Sequence, residues 1–366
     1  MIFQWQLFVL LIGIAVLAPV LGQCYEVKCY GNREIRYGWL PVLALAIPLI
    51  YLAGTRVNYL LNFGDTSAYL IGFNESPISV SAVINNVTED TKDVGFSVIT
   101  AILKRLVGGR EVVYFTIIAA VCLICVMYAY KRYSCSFIIS AFLFIASADY
   151  LQWTYNGIRQ FIPVAILFAC AGLIVKKKYV PLIILILLLS SIHATALLML
   201  PIIFIVQGKP LNKKTILFIL VMLLAIAFID QFTDIMTNIM ENTQYSGEVD
   251  QFLNTEGTSI QRVLVYSVPA FGAILFRKRI EAANNPLINI AANMSIVTFG
   301  LFTLSAFSSG LLLGRLGIYT SLYNYILLPW EIENVFTKKS AKLIYCALII
   351  CYLFYYYYQV EIIWGL

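Results

Sequence analysis

The chain predicts an all-α, polytopic membrane bundle, on three observations. Of its 366 residues, 61% are hydrophobic and only 12% charged, whereas a soluble domain carries roughly a quarter charged residues. Apolar runs follow one another along almost the whole length, divided by short basic clusters such as Lys131-Arg132, Lys176-Lys177-Lys178 and Arg277-Lys278-Arg279. With lipid as solvent, each backbone amide must be satisfied within its own segment, which helices achieve. The expectation is a single membrane domain over residues 1–366 with about twelve transmembrane segments and no separate soluble domain. The net charge of +6 lies mostly in the loops where the positive-inside rule puts it, so nucleic acid is excluded as a partner.

The first run, Ile2 to Gly22, has no basic residue before it and no small-residue cleavage site, so it reads as a retained helix rather than a signal peptide. Cys24 and Cys29 flank a basic loop holding Lys28, Arg33 and Arg36, assigned to the cytoplasm, which places both termini outside. A helix over Gly38 to Gly54 leads to a polar outer section, Thr55 to Arg110. Within it Val94 to Val107 has apolar residues at helical spacing beside Lys104 and Arg105, as expected of an interfacial or re-entrant helix capping the bundle. Helices over Glu111 to Tyr130, Ser136 to Leu151 and Ile158 to Val175 follow.

The apolar stretch Tyr179 to Val206 carries Ser190, Ser191 and His193 at its centre. One long crossing would put Lys209, Lys213 and Lys214 outside, and two short ones meeting near His193 return them to the cytoplasm. Charge favours the hairpin, although each arm is shorter than the roughly 20 residues of an ordinary span, so short or broken helices are expected there. Thr215 to Phe232 then leads to an acidic outer loop, Thr233 to Ile260, with Asp234, Glu241, Glu248, Asp250 and Glu256. Helices over Gln261 to Phe276, Leu287 to Phe307, Leu311 to Pro329 and Leu343 to Val360 complete the bundle, the last bringing Tyr355 to Tyr358 to the outer interface as an aromatic belt. No internal repeat is visible, which weakens an inverted-repeat transporter.

On this topology Arg56, Asp65, Asp93, Arg105, Arg159, His193, Arg262 and Arg315 all fall at outer helix ends or in outer loops. Ionisable groups at that depth are costly unless paired or facing a wet cavity. The plain alternatives are arginines snorkelling to headgroups and a lone histidine satisfied within the fold. Against these stands the set, because arginines around a wet cavity suit a phosphate-bearing anionic lipid, and His193 suits a general base. A single histidine cannot build a His-rich metal site, and Asp65 with Asp93 makes a weak case for a divalent ion, so neither metal nor cofactor is expected. The Cys122-Leu123-Ile124-Cys125 pair reads as buried apolar packing.

Several stretches then show a resemblance. Gly64-Asp65-Thr66-Ser67-Ala68-Tyr69 resembles an Asp-x-x-x-Tyr segment, and Asp93-Val94-Gly95-Phe96 an acidic-x-Gly-Phe element. Asn156-Gly157-Ile158-Arg159-Gln160 matches an Asn-x-x-Arg-Gln signature, and Ser191-Ile192-His193-Ala194-Thr195-Ala196 a histidine followed by small residues. Arg315-Leu316-Gly317-Ile318-Tyr319 is similar to an Arg-x-x-x-Tyr element. Together, over Asn58 to Pro329, they resemble the EpsG/Wzy-like polysaccharide polymerases, with Gly64 where an arginine is frequent and Asp93 where glutamate is more usual.

The resemblance implies a membrane glycosyltransferase at the outer face of a bacterial cytoplasmic membrane, making exopolysaccharide, capsule or O-antigen. It would join undecaprenyl-pyrophosphate-linked oligosaccharide repeat units, with flippase and chain-length regulator proteins as partners beside the membrane lipids. Under it Arg159 and Arg315 bind pyrophosphate, His193 or a carboxylate such as Asp65 activates the acceptor hydroxyl, and Arg262 positions the donor. Asp93, Tyr69, Asn156, Gln160, Tyr319 and Arg56 complete the substrate-binding set. A lipid-linked oligosaccharide flippase would need polar groups reachable from both sides, an O-antigen ligase one much larger outer loop, and a membrane acyltransferase shares the arginine and histidine.

Overall fold

The computed structural model describes residues 2–29, 32–88, 91–242, 246–310 and 313–366. In chain order the helices are α1 Ile2–Val20, α2 Trp39–Gly54, α3 Thr66–Glu75, α4 Val80–Asn85, α5 Val94–Val107, α6 Glu111–Tyr133, α7 Phe137–Ala146, α8 Asp149–Tyr155, α9 Ile158–Ala169 and α10 Ala171–Val175. There follow α11 Tyr179–Ser190, α12 Met199–Ile205, α13 Lys213–Ala227, α14 Ile229–Glu241, α15 Val249–Asn254, α16 Ile260–Leu275, α17 Arg277–Ala282, α18 Pro286–Ala306, α19 Ile318–Ser321, α20 Asn324–Val335 and α21 Lys338–Tyr357. Among the described residues the all-α expectation holds with one exception. Where a basic loop was expected, β1 Cys24–Cys29 pairs antiparallel with β2 Asn32–Tyr37, Cys24 opposite Tyr37.

Local signals place several helix starts. The Asn212 side chain accepts from the amides of Lys214 and Thr215 and opens α13, while Asn285 does the same for α18 just ahead of Pro286. α18 is the central post, with Ala291, Ala292, Met294 and Val297 fully buried, and it packs on α13, α16 and α20. A second layer is built from α2, α6 and α9. On α13, by contrast, Leu217, Leu220, Val221 and Leu224 form an exposed apolar stripe at helical spacing. Such a stripe is unfavourable in water and suited to lipid.

Among the described residues three helices are long and apolar enough to cross a membrane, Glu111–Tyr133, Pro286–Ala306 and Lys338–Ile363. Two bent pairs raise this to as many as five, and the remaining apolar helices are shorter. Length and composition therefore do not by themselves establish about twelve crossings, because many segments are broken. The expected helix Ser136 to Leu151 bends by 66° where Ala148 takes a left-handed backbone, φ 65. The expected helix Thr215 to Phe232 bends by 99° at Phe228 into α14. Part of the Thr233 to Ile260 loop is thereby helix, as is much of the Thr55 to Arg110 section. Leu311 to Pro329, expected as one helix, is a turn over Leu313–Arg315 followed by α19 and part of α20, with 311–312 outside the described residues.

The hairpin reading of Tyr179 to Val206 is borne out. The ring of Tyr179, at the start of α11, stacks on Phe204 near the end of α12, centroids 5.0 Å apart. Gln207 donates to the Ile174 carbonyl at 2.9 Å, and Lys209 pairs with Glu281 beside the Arg277-Lys278-Arg279 cluster. Buried Asn293 of α18 fixes the return: its Oδ1 accepts from the Leu211 amide and Thr215 hydroxyl, and its Nδ2 donates to the carbonyls of Val206 and Lys209. The arms thus start and finish at the basic end of the bundle. His193 sits at the opposite end.

Candidate active site

At that opposite end the polar stretches singled out by sequence converge. Gly64 and Gly157 both adopt left-handed backbones, φ 59 and 58, a conformation glycine reaches without the Cβ penalty. The turns they form clasp each other: the Asn156 Oδ1 accepts from the Asp65 amide at 2.9 Å, and Asp65 Oδ2 accepts from the Gly157 amide at 3.1 Å. A Cβ on Gly64 would lie 2.4 Å from Asn156 Oδ1. The start of α3 is therefore locked to the start of α9, and Arg159 is aimed from the first turn of α9.

A second clasp brings in the histidine. The Gly95 amide donates to the Ser191 carbonyl at 2.7 Å, so close that a Cβ on Gly95 would fall 2.7 Å from that carbonyl oxygen. This docks the first turn of α5 on the tip of the hairpin and sets Asp93 beside His193. His193 Nδ1 lies 2.9 Å from Asp93 Oδ2, and Arg159 Nη1 lies 3.2 Å from the same oxygen. The Asp93 side chain is 4% exposed, His193 15% and Arg159 40%. In a neutral imidazole whose Nδ1–H donates to the Asp93 carboxylate, Nε2 is the acceptor nitrogen. Arg159 also stands 5.9 Å from the centroid of the Tyr69 ring. Burial pushes the Tyr69 phenol up, against the opposing pull of Arg159, which keeps it a neutral donor.

Tyr69 and Arg159 line a cavity of about 740 Å³ together with Asp65 and Arg315, a size suited to a substantial ligand, while Asp93 and His193 are outside the lining and are joined to it through Arg159. Ser97, Thr100 and Tyr114 add neutral polar groups to its wall, and Gln251 of α15 closes one side. Gln160 donates to the Arg315 carbonyl at 2.8 Å, tying α9 to the Leu313–Arg315 turn. The hydroxyls of Thr195 and Tyr319 lie 3.1 Å apart, joining hairpin to α19. The arrangement offers two guanidiniums for an anion beside an imidazole oriented by a carboxylate.

A family model of the EpsG family matches residues 39–361. The chain belongs to the EpsG family. EpsG proteins are membrane proteins of polysaccharide biosynthesis, associated with glycosyltransferase-like polymerase activity. Comparison with curated proteins and with solved structures gives no match.

Within this EpsG chain the cavity lining holds Asp65, Tyr69, Arg159 and Arg315 of the sequence candidates; Asp93, His193, Asn156, Gln160 and Tyr319 are not part of it, and Arg56 and Arg262 are engaged elsewhere. Arg56 is 1% exposed, 4.1 Å over the Phe115 ring, and donates to the Thr154 carbonyl, where it staples the chain ahead of α3 to α8. Arg262 lies 3.5 Å from Asp149 among the rings of Trp153, Tyr266 and Phe302.

Asp149 itself escaped the sequence reading. It is fully buried and accepts from Tyr266 at 2.5 Å, Tyr325 at 2.7 Å and Trp153 at 3.2 Å, joining α8 to α16 and α20. The available signal was an aspartate set directly in the apolar run Phe142 to Leu151, a costly placement.

Proposed function

We propose that the chain is a polysaccharide polymerase that joins undecaprenyl-pyrophosphate-linked oligosaccharide repeat units at the outer face of a bacterial cytoplasmic membrane. The observation that carries the reading is the shared Asp93 oxygen, which couples His193 to Arg159, and Arg159 lines a cavity that Arg315 also lines. In the reaction the acceptor hydroxyl gives its proton to His193 Nε2 as its oxygen bonds the donor's anomeric carbon. The bond from that carbon to the pyrophosphate oxygen breaks, and undecaprenyl pyrophosphate leaves with the electron pair.

Arg159 and Arg315 stabilise the charge that grows on the leaving pyrophosphate, which is where fixed cations lower the barrier most. Asp93 holds the imidazole tautomer. Asp65, bonded to the Gly157 amide, positions the turn that carries Arg159. No nucleotide sugar enters, because the lipid carrier already supplies the activated bond.

The test replaces Arg159 and His193 singly with alanine in a host lacking its own polymerase, with membrane levels matched. Loss of long chains with single repeat units gathering on the outer face is the expected result. Full-length polymer from both variants would overturn the assignment, and build-up on the inner face would turn the reading to a flippase.

A further inference from the structure

A second cavity, of about 610 Å³, opens where α6 ends. Tyr114 of α6 lines the first cavity and Lys131 of the same helix lines the second. At 1.5 Å per residue they are about 25 Å apart along the axis, close to the roughly 30 Å of a bilayer's hydrocarbon. The α9–α10 segment repeats the relation, with Arg159 at the first cavity and Lys176 at the second. The two cavities therefore face opposite boundaries of the membrane.

The second one is a built site. The β1–β2 hairpin supplies a wall, held by Arg36 Nη1 donating to the Lys131 carbonyl at 3.1 Å. Trp39 stacks on Tyr128, centroids 6.2 Å apart at 12°, and Lys131 Nζ stands 4.8 Å over the Trp39 ring. Among the described residues, the charged side chains of the lining are Arg36, Lys131, Arg132 and Lys176 against Glu34 alone. Glu34 is taken up by Arg36 at 2.5 Å, so the remaining three cations are surplus. Buried Ile288 and Trp330 give the back of the cavity an apolar surface.

We propose that this cavity binds the phosphate-bearing headgroup of an anionic membrane lipid. Lysine and arginine match the phosphate charge and its acceptor oxygens, and basic pockets between helices at a membrane boundary take such headgroups. Free phosphate shares that chemistry. The apolar back wall and the position at the hydrocarbon boundary select the lipid, whose glycerol and first methylenes lie against Ile288 and Trp330. The proposal is independent of the polymerase reaction, since none of these residues borders the first cavity.

The test uses the full chain purified in detergent, with native mass spectrometry and the unfolding midpoint read during titration with phosphatidylglycerol, phosphatidylcholine or potassium phosphate. Retention of phosphatidylglycerol over phosphatidylcholine is expected. At about 1 kcal/mol per cation, Lys131→Ala with Arg132→Ala weakens that retention about thirtyfold. Lys177→Ala with Lys178→Ala, basic residues outside the cavity, leaves it unchanged. Should the first double variant not fold, Arg132→Gln alone, at an exposed side chain, weakens retention about fivefold. Equal retention of the two lipids, an equal loss in the Lys177 and Lys178 variant, or stabilisation by phosphate alone as strong as by phosphatidylglycerol would each overturn the proposal.

Discussion

Replacing Asp93 with asparagine keeps the shape of the side chain and an oxygen to accept from both His193 and Arg159, and removes only the charge. Both contacts fall on Oδ2, at 2.9 and 3.2 Å, and among the described residues Oδ1 is buried without a hydrogen-bond donor. A hydrogen bond to a charged group contributes about 1 kcal/mol more than a neutral one. The two bonds together therefore lose about 1.5 kcal/mol, the Arg159 share being halved because that side chain is 40% exposed. If Asp93 orients the base and the anion-binding arginine, the loss appears in the barrier as a rate about 10-fold lower.

The assay is polymer length on gels from a host without its own polymerase, at matched membrane levels, followed by initial rates for the purified protein. Asp93→Ala, which removes the acceptor as well, falls further. A wild-type rate in Asp93→Asn would refute the reasoning, since charge on the shared oxygen would then contribute nothing to catalysis.

Two further outcomes follow from the same contacts. Gly95→Ala forces a Cβ against the Ser191 backbone, so α5 must shift from the hairpin tip at about 1–3 kcal/mol; polymerisation falls while the protein still reaches the membrane, and normal chain length would show that this docking does not position Asp93. Asp149→Ala leaves Arg262 without its carboxylate and the Tyr266 hydroxyl without its acceptor, while the Tyr325 hydroxyl keeps only Ser147, a loss of about 3 kcal/mol that lowers the detergent unfolding midpoint, whereas an unchanged midpoint would deny the cluster its role in holding α8 to α16 and α20.

The parts of the fold legible in sequence were those governed by charge and hydropathy. The start and end of α5 follow from apolar spacing that ends at Gly108, and the hairpin at His193 follows from the lysines that must return to the basic end. The breaks at Ala148 and Phe228 were not legible, because hydropathy measures how apolar a run is and carries no direction. The site motifs stood out because an arginine or a histidine in an apolar run is expensive, and Arg159 with His193 did prove to share a carboxylate. Asp149 met the same criterion, but its partners Tyr266 and Tyr325 lie more than a hundred residues away in sequence and resemble ordinary core aromatics. Arg56 shows the converse. Its position at a helix end suggested a ligand, while the rings of Phe115 and Tyr155 that enclose it are brought there only by the packing of α6 and α8.

The most direct measurement supplies the purified protein in lipid vesicles with undecaprenyl-pyrophosphate-linked repeat units as the sole substrate and follows chain length together with released undecaprenyl pyrophosphate. The wild-type chain is expected to extend glycans with one carrier released per bond formed, and Arg159→Ala is expected to do neither. Vesicles in which no glycan grows, or in which Arg159→Ala extends chains at the wild-type rate, would contradict the assignment of a polymerase built around Arg159, Asp93 and His193.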